Sequence, residues 1–234
     1  MRYTEDARRR FMAVLAKLIT SPKSELDFKT PFELLVAVML SAQTNDRAVN
    51  AATAKLFPKA NTPAALAALG AEGIEPYIST LNLYKTKAKH VAEASAILLE
   101  QFGGEVPQDF KALVSLPGVG PKTAKVVLNV AFGLPTIAVD THIFRVCNRT
   151  GFMPSKTPLE CSEKLEKAIP ADYARDAHHL LLLFGRYCCK ARDPMCADCP
   201  LSAEFCRWPG KAEAIEKAQL KAEKLKKAAR KAGA

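Results

Sequence analysis

A lysine near the start of a predicted helix is the residue whose type and place best suit a nucleophile. Lys122 follows a proline that fits the first helical position, and an apolar run continues to Phe132. An amine attacks only when unprotonated, whereas the pKa of a free lysine is about 10.4. The positive end of the helix dipole and burial in a pocket would both lower that pKa. Lys122 is therefore a candidate for Schiff-base chemistry, and the alternative is a solvated lysine that contacts phosphate.

The segment before Lys122 predicts a tight turn between two helices. Gly118 and Gly120 flank Val119, and Pro121 opens the second helix. Glycine adopts backbone angles that are closed to other residues, and it lets a large ligand approach the main chain. Exposed amides at a helix start point outward together, which favours an anion such as phosphate. Ordinary turns between helices use the same residues, so the pattern alone leaves both interpretations open.

Four cysteines near the end of the chain predict a metal site. They are separated by six, two and six residues: Cys189, Cys196, Cys199 and Cys206. The N-terminus has no apolar signal segment, so we expect a reducing cytoplasm, where clustered thiolates bind metals. The spacing alone does not distinguish a 4Fe–4S cluster from a tetrahedral zinc ion. Cys147 and Cys161 are predicted to be small buried residues.

The charge of the chain favours a polyanionic partner. The 234 residues carry a net charge of +10, and the pI is about 9.3. Residues 211–234 hold eight Lys/Arg and three Glu, so this tail contributes +5 and the rest of the chain +5. Nucleic acid is the commonest polyanion, although a solubilising tail explains half of the charge equally well. No apolar run is long enough to predict a membrane span.

Helix signals dominate and predict an all-α fold. Thr30 and Thr157 each precede a proline and stand three residues before a glutamate, which is the pattern of a capping box. Thr62 precedes Pro63 in the same way. Asp140 directly precedes another predicted helix, and aspartate is typical of an N-cap. Alternating β-branched runs are scarce, so no sheet is expected.

Several motifs, taken in order, resemble those of the endonuclease III family of DNA-repair glycosylases. They are Ser41-Ala42-Gln43, Leu83-Tyr84, the string from Leu116 to Ala124, the string from Val139 to Arg145, and the cysteine cluster that follows Gly185-Arg186-Tyr187. Together they cover the chain from about residue 30 to residue 207. One departure concerns the last cysteine spacing, where the family has five intervening residues and this chain has six.

The resemblance implies a bifunctional DNA N-glycosylase and abasic-site lyase of base excision repair. Lys122 would attack the sugar C1′ of an oxidised pyrimidine nucleotide in duplex DNA and displace the base. The resulting Schiff base would allow β-elimination at the abasic site. Asp140 would support the cationic transition state and assist proton transfer. The four cysteines would hold a 4Fe–4S cluster.

The resemblance also implies how DNA is held. Gln43 and Leu83 would fill the gap left by the extruded nucleotide. Phosphate contacts are expected on the hairpin and the cysteine loop: Gly118, Val119, Gly120, Lys190 and Arg192. The last two could equally be solvated surface charge.

The implied architecture is two α-helical domains flanking a DNA-binding cleft, with Lys122 and Asp140 facing each other across it. Residues 24–134 would form the helix-hairpin-helix domain, residues 1–23 and 135–210 the cluster domain, and residues 211–234 a basic tail. We expect a monomer in the cytoplasm, associated with chromosomal DNA and not with a membrane. Two alternatives remain: a monofunctional glycosylase for mismatched or alkylated bases, and a non-catalytic DNA-binding module.

Overall fold

The computed structural model describes residues 3–232, and these residues form helices without any β-strand. A short 3₁₀ helix spans Ala171–Tyr173. The α-helices of the described chain are α1 (Glu5–Leu18), α2 (Pro31–Leu40), α3 (Asp46–Leu56), α4 (Pro63–Ile78, interrupted by a kink at Gly70), α5 (Tyr84–Phe102), α6 (Phe110–Val114), α7 (Pro121–Phe132), α8 (Thr141–Thr150), α9 (Pro158–Ala168), α10 (Ala177–Tyr187) and α11 (Lys211–Ala232). The predicted all-α class is confirmed. None of the described helices is long and apolar enough to cross a membrane.

The chain divides into two compact units. One is continuous, spans Lys23–Ala138 and contains α2 to α7; we call it the hairpin unit. The other joins residues 3–22 to residues 139–232 and contains α1 and α8 to α11; we call it the cysteine unit. Lys122 and the two residues expected to fill the gap in the base stack, Gln43 and Leu83 (the wedge residues), thus lie in the hairpin unit. Asp140 and the four candidate cysteine ligands lie in the cysteine unit.

The hairpin unit is built around α2, whose residues from Phe32 to Leu40 are all buried. This helix packs against α3, α5 and α7. Its start is fixed by a variant of the predicted capping box: Thr30 Oγ1 accepts from the Glu33 amide at 3.1 Å as predicted, but Glu33 Oε2 accepts at 2.5 Å from the amide of Lys29, one residue before the N-cap. An apolar helix with a defined first turn gives the site-bearing loops a rigid base.

The cysteine unit has an aromatic core. Phe11 and Phe152 stack with their ring centroids 4.1 Å apart, and Phe205 meets Phe11 edge-on at 5.4 Å. The Tyr3 hydroxyl donates to the carbonyls of Thr150 and Phe205, each at 3.1 Å. The N-terminal segment, the end of α8 and the cysteine loop therefore share one core, which explains why residues distant in sequence form a single unit.

Candidate active site

The hairpin turn between α6 and α7 requires a glycine at one position. Gly118 has φ +76°, in the left-handed region that disfavours other residues. A methyl group at this Cα would lie 2.8–3.0 Å from side-chain atoms of His90 on α5. The Val119 amide closes the turn by donating to the Leu116 carbonyl at 3.1 Å. The conformation of the turn and its packing on α5 both select glycine.

The second glycine and the intervening valine behave differently from the sequence-based expectation. Gly120 has φ −87°, an ordinary extended value, so its conformational freedom is not used. Nothing lies within 4 Å of the place where its Cβ would be, which leaves the main chain open to a ligand. The Val119 side chain is buried in the core, so only its backbone is available for DNA.

Lys122 is the second residue of α7, and its side chain is exposed. The burial expected for this lysine is therefore absent from the structure. Gly120 is the N-cap and supplies no side-chain hydrogen bond, so no cap occupies the first-turn amides within the described residues. Open amides and the positive helix end make this a place for an anion, with an amine beside it.

The two candidate wedge residues lie on loops in left-handed conformations. Gln43 has φ +54° and Leu83 has φ +56°, and neither is a glycine. Both side chains are exposed, and Leu83 is 61% accessible. This exposure excludes the alternative in which Leu83 is a core residue. Each side chain is presented outward from the start or end of a helix, as an inserted wedge requires.

A residue that the sequence did not single out joins these loops. Lys87, on the first turn of α5, is only 6% exposed. Its Nζ donates to the Leu40 carbonyl at 2.7 Å and to Thr44 Oγ1 at 2.8 Å, and its burial lowers the pKa of its amine. A signal was present, because Lys87 falls in helical phase with the buried Ala88 and Val91.

Asp140 is the N-cap of α8, as predicted. Its Oδ1 accepts from the amides of His142 at 2.9 Å and Ile143 at 2.8 Å. Both of these bonds go to the same oxygen. The cap therefore fixes the direction of the carboxylate without using Oδ2.

Two arginines of α8 hold the start of the cysteine loop, and sequence reasoning missed both. Arg145 donates through Nε to the Cys189 carbonyl at 2.8 Å and through Nη2 to the Gly185 carbonyl at 2.7 Å. Arg149 donates to the Lys190 carbonyl at 2.8 Å, and its guanidinium lies 3.9 Å from the centre of the Trp208 ring. The carbonyls that these arginines bind are about 40 residues away in sequence, so no local pattern could have predicted the contacts.

The four predicted cysteine ligands line one small cavity of about 20 Å³ in the cysteine unit, together with Cys188. Burial raises the pKa of the Cys189 and Cys196 thiols, and Cys188 is hydrogen-bonded to Cys199. No group of three or more His, Cys, Asp or Glu side chains in residues 3–232 is arranged to hold a metal ion. The thiols that line the shared cavity are nonetheless of the donor type that binds iron–sulfur clusters and zinc. Cys147 and Cys161 are buried away from this cavity, as predicted.

Lys190 and Arg192 occupy the cysteine loop at the edge of a larger groove. Lys190 is half-buried and Arg192 is exposed. Both line a groove of about 620 Å³ that the loop forms with α11. The backbone of Lys190 is held by Arg149, so the loop carries its charges on a fixed main chain.

Comparison with known proteins assigns the class. Residues 36–171 match the HhH-GPD superfamily of base excision DNA repair proteins. Endonuclease III of Escherichia coli (strain K12) is 57% identical over 192 residues, which are 82% of this chain and 90% of that protein. Endonuclease III of Haemophilus influenzae is 52% identical over 192 residues, which are again 82% of this chain and 90% of that protein. A solved structure of a trapped covalent intermediate of endonuclease III with DNA has a TM-score of 0.82 at 44% identity, and the match covers 88% of this chain and 96% of that chain.

The helical fold and the superfamily match together define a base excision DNA repair protein with a helix-hairpin-helix motif. At the identities and coverage found, the chain belongs to the endonuclease III family. The predicted family, the fold and the assignment to base excision repair are thereby confirmed.

Proposed function

We propose that the protein is a bifunctional glycosylase and abasic-site lyase that removes oxidised pyrimidines from duplex DNA in the cytoplasm. The observation that carries this proposal is the exposed Lys122 amine at the open start of α7, directly after the Gly118 turn. In a chain of the endonuclease III family, an amine at that point is the natural nucleophile. A covalent intermediate trapped between an endonuclease III and DNA is consistent with such a group.

The hairpin and the wedge loops prepare the substrate. The open amides around Gly120 bind a backbone phosphate, with the dipole of α7 behind them. Leu83 enters the base stack as an apolar wedge, and the amide of Gln43 pairs with the orphaned base. An oxidised pyrimidine with a saturated ring stacks poorly, so its extrusion costs less than the few kcal/mol of an intact base.

Lys122 then performs both chemical steps. Its neutral amine forms a bond to C1′ while the glycosidic bond breaks, and the base leaves with a proton. The sugar ring then opens: the C1′–O4′ bond breaks, O4′ takes a proton, Nζ loses one, and an imine between Nζ and C1′ remains. Loss of a C2′ proton moves electrons toward the imine and breaks the C3′–O bond, so the phosphate is released. Water finally hydrolyses the imine and returns the free amine.

Asp140 serves this chemistry through the carboxylate oxygen that the cap leaves available. The sugar develops positive charge as the base departs, and a fixed carboxylate stabilises that charge without reorganising. The same group can accept or deliver the protons of the later steps. The amides of His142 and Ile143 keep the carboxylate in one orientation.

We propose further that Cys189, Cys196, Cys199 and Cys206 hold a 4Fe–4S cluster. The shared cavity and the thiol donors support this assignment. When bound, the cluster supplies structural cross-linking of the loop and no redox step. Arg149 and the loop backbone keep Lys190 and Arg192 directed toward phosphates. Zinc is the competing metal.

Borohydride trapping tests the proposed chemistry. The purified protein is incubated with duplex DNA carrying an oxidised pyrimidine, and with borohydride, which reduces an imine to a stable amine link. We expect a covalent protein–DNA band with the wild type and none with Lys122→Gln. Base release without any trapped band would instead identify a monofunctional glycosylase. Absence of both base release and strand cleavage would leave only a DNA-binding module.

The metal is tested separately by colour and by elemental analysis. A brown protein with absorbance in the blue and bound iron supports the 4Fe–4S assignment, whereas bound zinc in a colourless protein contradicts it. Cys189→Ala should lose the iron, and Cys188→Ala should retain it. The reverse result would make Cys188 the first ligand.

A further inference from the structure

The two wedge residues adopt a backbone conformation that their own side chains disfavour. Gln43 and Leu83 both have positive φ, and among the described non-glycine residues only Asp193 shares this property. Left-handed backbone is uncommon for a leucine, so it persists only where surrounding contacts hold it. Something in the hairpin unit must therefore stabilise these two loops in the same arrangement.

Lys87 makes contacts to both loops. Its backbone amide donates to the Leu83 carbonyl at 3.0 Å, at the start of α5. Its side chain crosses to the other loop, where Nζ donates to the carbonyl of Leu40 at 2.7 Å and to Thr44 Oγ1 at 2.8 Å. Leu40 and Thr44 bracket Gln43. One residue thus fixes the position of each wedge relative to the other.

Asn82 supplies a second link on the outside. Its Nδ2 donates to the Gln43 carbonyl at 3.2 Å, and Asn82 directly precedes Leu83. The two loops are 39 residues apart in sequence, yet this bond joins their tips. Lys87 therefore links the Gln43 loop and the Leu83 loop from the protein interior, and Asn82 links the same two loops at the surface.

A purely space-filling role does not account for Lys87. Burial disfavours a charged amine and lowers the pKa of Lys87. An apolar side chain would fill the same space at a smaller desolvation cost. What lysine adds is a donor at the C-terminal end of α2, where positive charge is favoured and where carbonyls lack helical partners.

We infer that Lys87 is a positioning residue that, together with Asn82, sets Gln43 and Leu83 in their inserted geometry before DNA arrives. The inference rests on the proposed wedge role of those two residues. A preformed wedge avoids the loss of loop freedom on binding, so base extrusion begins from an ordered surface. Neither Lys87 nor Asn82 needs to contact the reacting sugar for this effect.

Two substrates separate positioning from stability. Duplex DNA with a lesion requires a wedge, whereas a preformed abasic site in single-stranded DNA has no stack to fill. We expect Lys87→Met and Asn82→Ala to lower lyase turnover on the duplex relative to the single strand by about tenfold. Lys85→Met, on the same turn of α5 but exposed, is the matched control and should keep the wild-type ratio.

A double variant shows whether the effect passes through the wedge. Leu83→Ala alone should lower the duplex-to-single-strand ratio, and adding Lys87→Met should lower it no further. The inference would be overturned if Lys87→Met and Asn82→Ala both kept the wild-type ratio of duplex to single-strand turnover. It would also be overturned if the losses of Leu83→Ala and Lys87→Met were additive in the double variant. Asn82 is exposed, so Asn82→Ala is decisive even if Lys87→Met folds poorly. If the wild type is inactive on both substrates, the proposed function has failed instead.

A second, independent observation concerns α11, whose charge is divided along its length. Residues 211–220 hold two lysines and two glutamates, so their net charge is zero. Residues 221–232 hold five lysines and one arginine against one glutamate, so their net charge is +5. Like charges one turn apart oppose helix formation, which leaves the second half in need of a counter-charge.

Among the described residues, the hydrogen bond and the ion pair that tie α11 to the cysteine loop lie in the first half of the helix. Lys211 Nζ donates to the Ser202 carbonyl at 2.8 Å, and Lys217 pairs with Asp193 at 3.1 Å. Farther along, Leu225 is 63% exposed and so packs on nothing that buries it. The basic half therefore begins at the groove, where Lys221 joins Lys190 and Arg192 in the lining, and continues beyond it.

We propose that the basic half of α11 binds the DNA backbone outside the lesion site. Its +5 charge matches a row of phosphates, and the groove makes this surface continuous with the cysteine-loop cations. Binding to undamaged duplex is measured by fluorescence anisotropy over a range of salt concentrations. For the triple variant K221Q/K224Q/K227Q, we expect the slope of log affinity against log salt to fall by up to about 2.7.

The matched control is K221R/K224R/K227R, which keeps the charge and should keep the wild-type slope. Identical slopes for the wild type and the glutamine variant would overturn the proposal. Circular dichroism of the glutamine variant checks that the helix content is unchanged. Because undamaged DNA is used, the result does not depend on the Lys122 chemistry.

Discussion

Two lysines of the hairpin unit lie in the first turn of a helix, and their surroundings make them opposite in character. Lys122 on α7 is exposed, beside open amides. Lys87 on α5 lies beneath the loop after α2, and its amine donates to the Leu40 carbonyl and to Thr44 Oγ1, both within the protein. The dipole of its own helix disfavours an ammonium at either position, but the Lys87 amine reaches the C-terminal end of α2, where positive charge is favoured. The covering loop, not the position in the helix, decides which amine meets a ligand and which one holds the backbone.

The largest effect should come from removing the exposed amine. Lys122→Gln keeps a polar side chain, slightly shorter and uncharged, but has no nucleophilic amine, so single-turnover base release should fall on the order of a thousandfold or more. Lys125→Gln, one turn along α7, is the control and should stay within about tenfold of the wild type. Comparable losses in the two variants would mean that Lys122 has no special role. Quenched-flow or manual single-turnover assays on lesion duplex provide the rates.

The next effect tests whether base release also needs the carboxylate of Asp140. Asp140→Asn retains an oxygen to accept from His142 and Ile143, so helix α8 should keep its cap and the protein its stability. The lost carboxylate should slow base release about a hundredfold. Asp140→Ala removes the cap as well and should cost about 1 kcal/mol of unfolding free energy. If Asp140→Asn remains fully active, the aspartate is a cap only.

Removing the buried amine should affect stability instead. Lys87→Met leaves the Leu40 carbonyl without its donor, a loss that exceeds the relief from no longer burying a charge. We expect the free energy of unfolding in urea to fall by about 1–2 kcal/mol. Lys85→Met should change it by less than about 0.5 kcal/mol, because that side chain is exposed. An equally stable Lys87→Met variant would remove the contrast between the two lysines.

The smallest expected difference is between the two glycines of the turn that precedes Lys122. Gly118→Ala places a methyl group against His90 at positive φ and should destabilise the protein by more than about 1 kcal/mol. Gly120→Ala meets nothing and has ordinary φ, so its unfolding free energy should stay within about 0.5 kcal/mol. The methyl group of Gly120→Ala would, however, face the proposed phosphate, so this variant should bind DNA more weakly than the wild type. Equal stability losses at the two positions would contradict the assigned geometry.

Local signals in the sequence were sufficient wherever a structure is closed by near neighbours. The capping box at Thr30, the proline start of α7 and the N-cap at Asp140 all depend on residues within four positions, and all were predictable. The Gly118 turn belongs to the same class. These local elements define the starts of α7 and α8, where Lys122 and Asp140 lie. For this reason the two candidate catalytic residues could be proposed from the sequence.

Signals that depend on distant neighbours were missed. The ties from Lys87 to Leu40 and from Arg149 to Lys190 span more than 40 positions, and no local pattern encodes the carbonyl that a side chain will reach. The expected burial of Lys122 failed for the same reason, because burial depends on what the fold lays over a helix start. Gly120 appeared to be a conformational requirement, but its φ is ordinary.

Peptide mapping of the borohydride-reduced adduct is the most direct measurement of the central assignment. A sugar remnant on Lys122 blocks trypsin there, so the modified peptide should run from Ala112 to Lys125 and carry the added mass on Lys122. A wild-type adduct located at any other lysine, with Lys122 unmodified, would contradict the account.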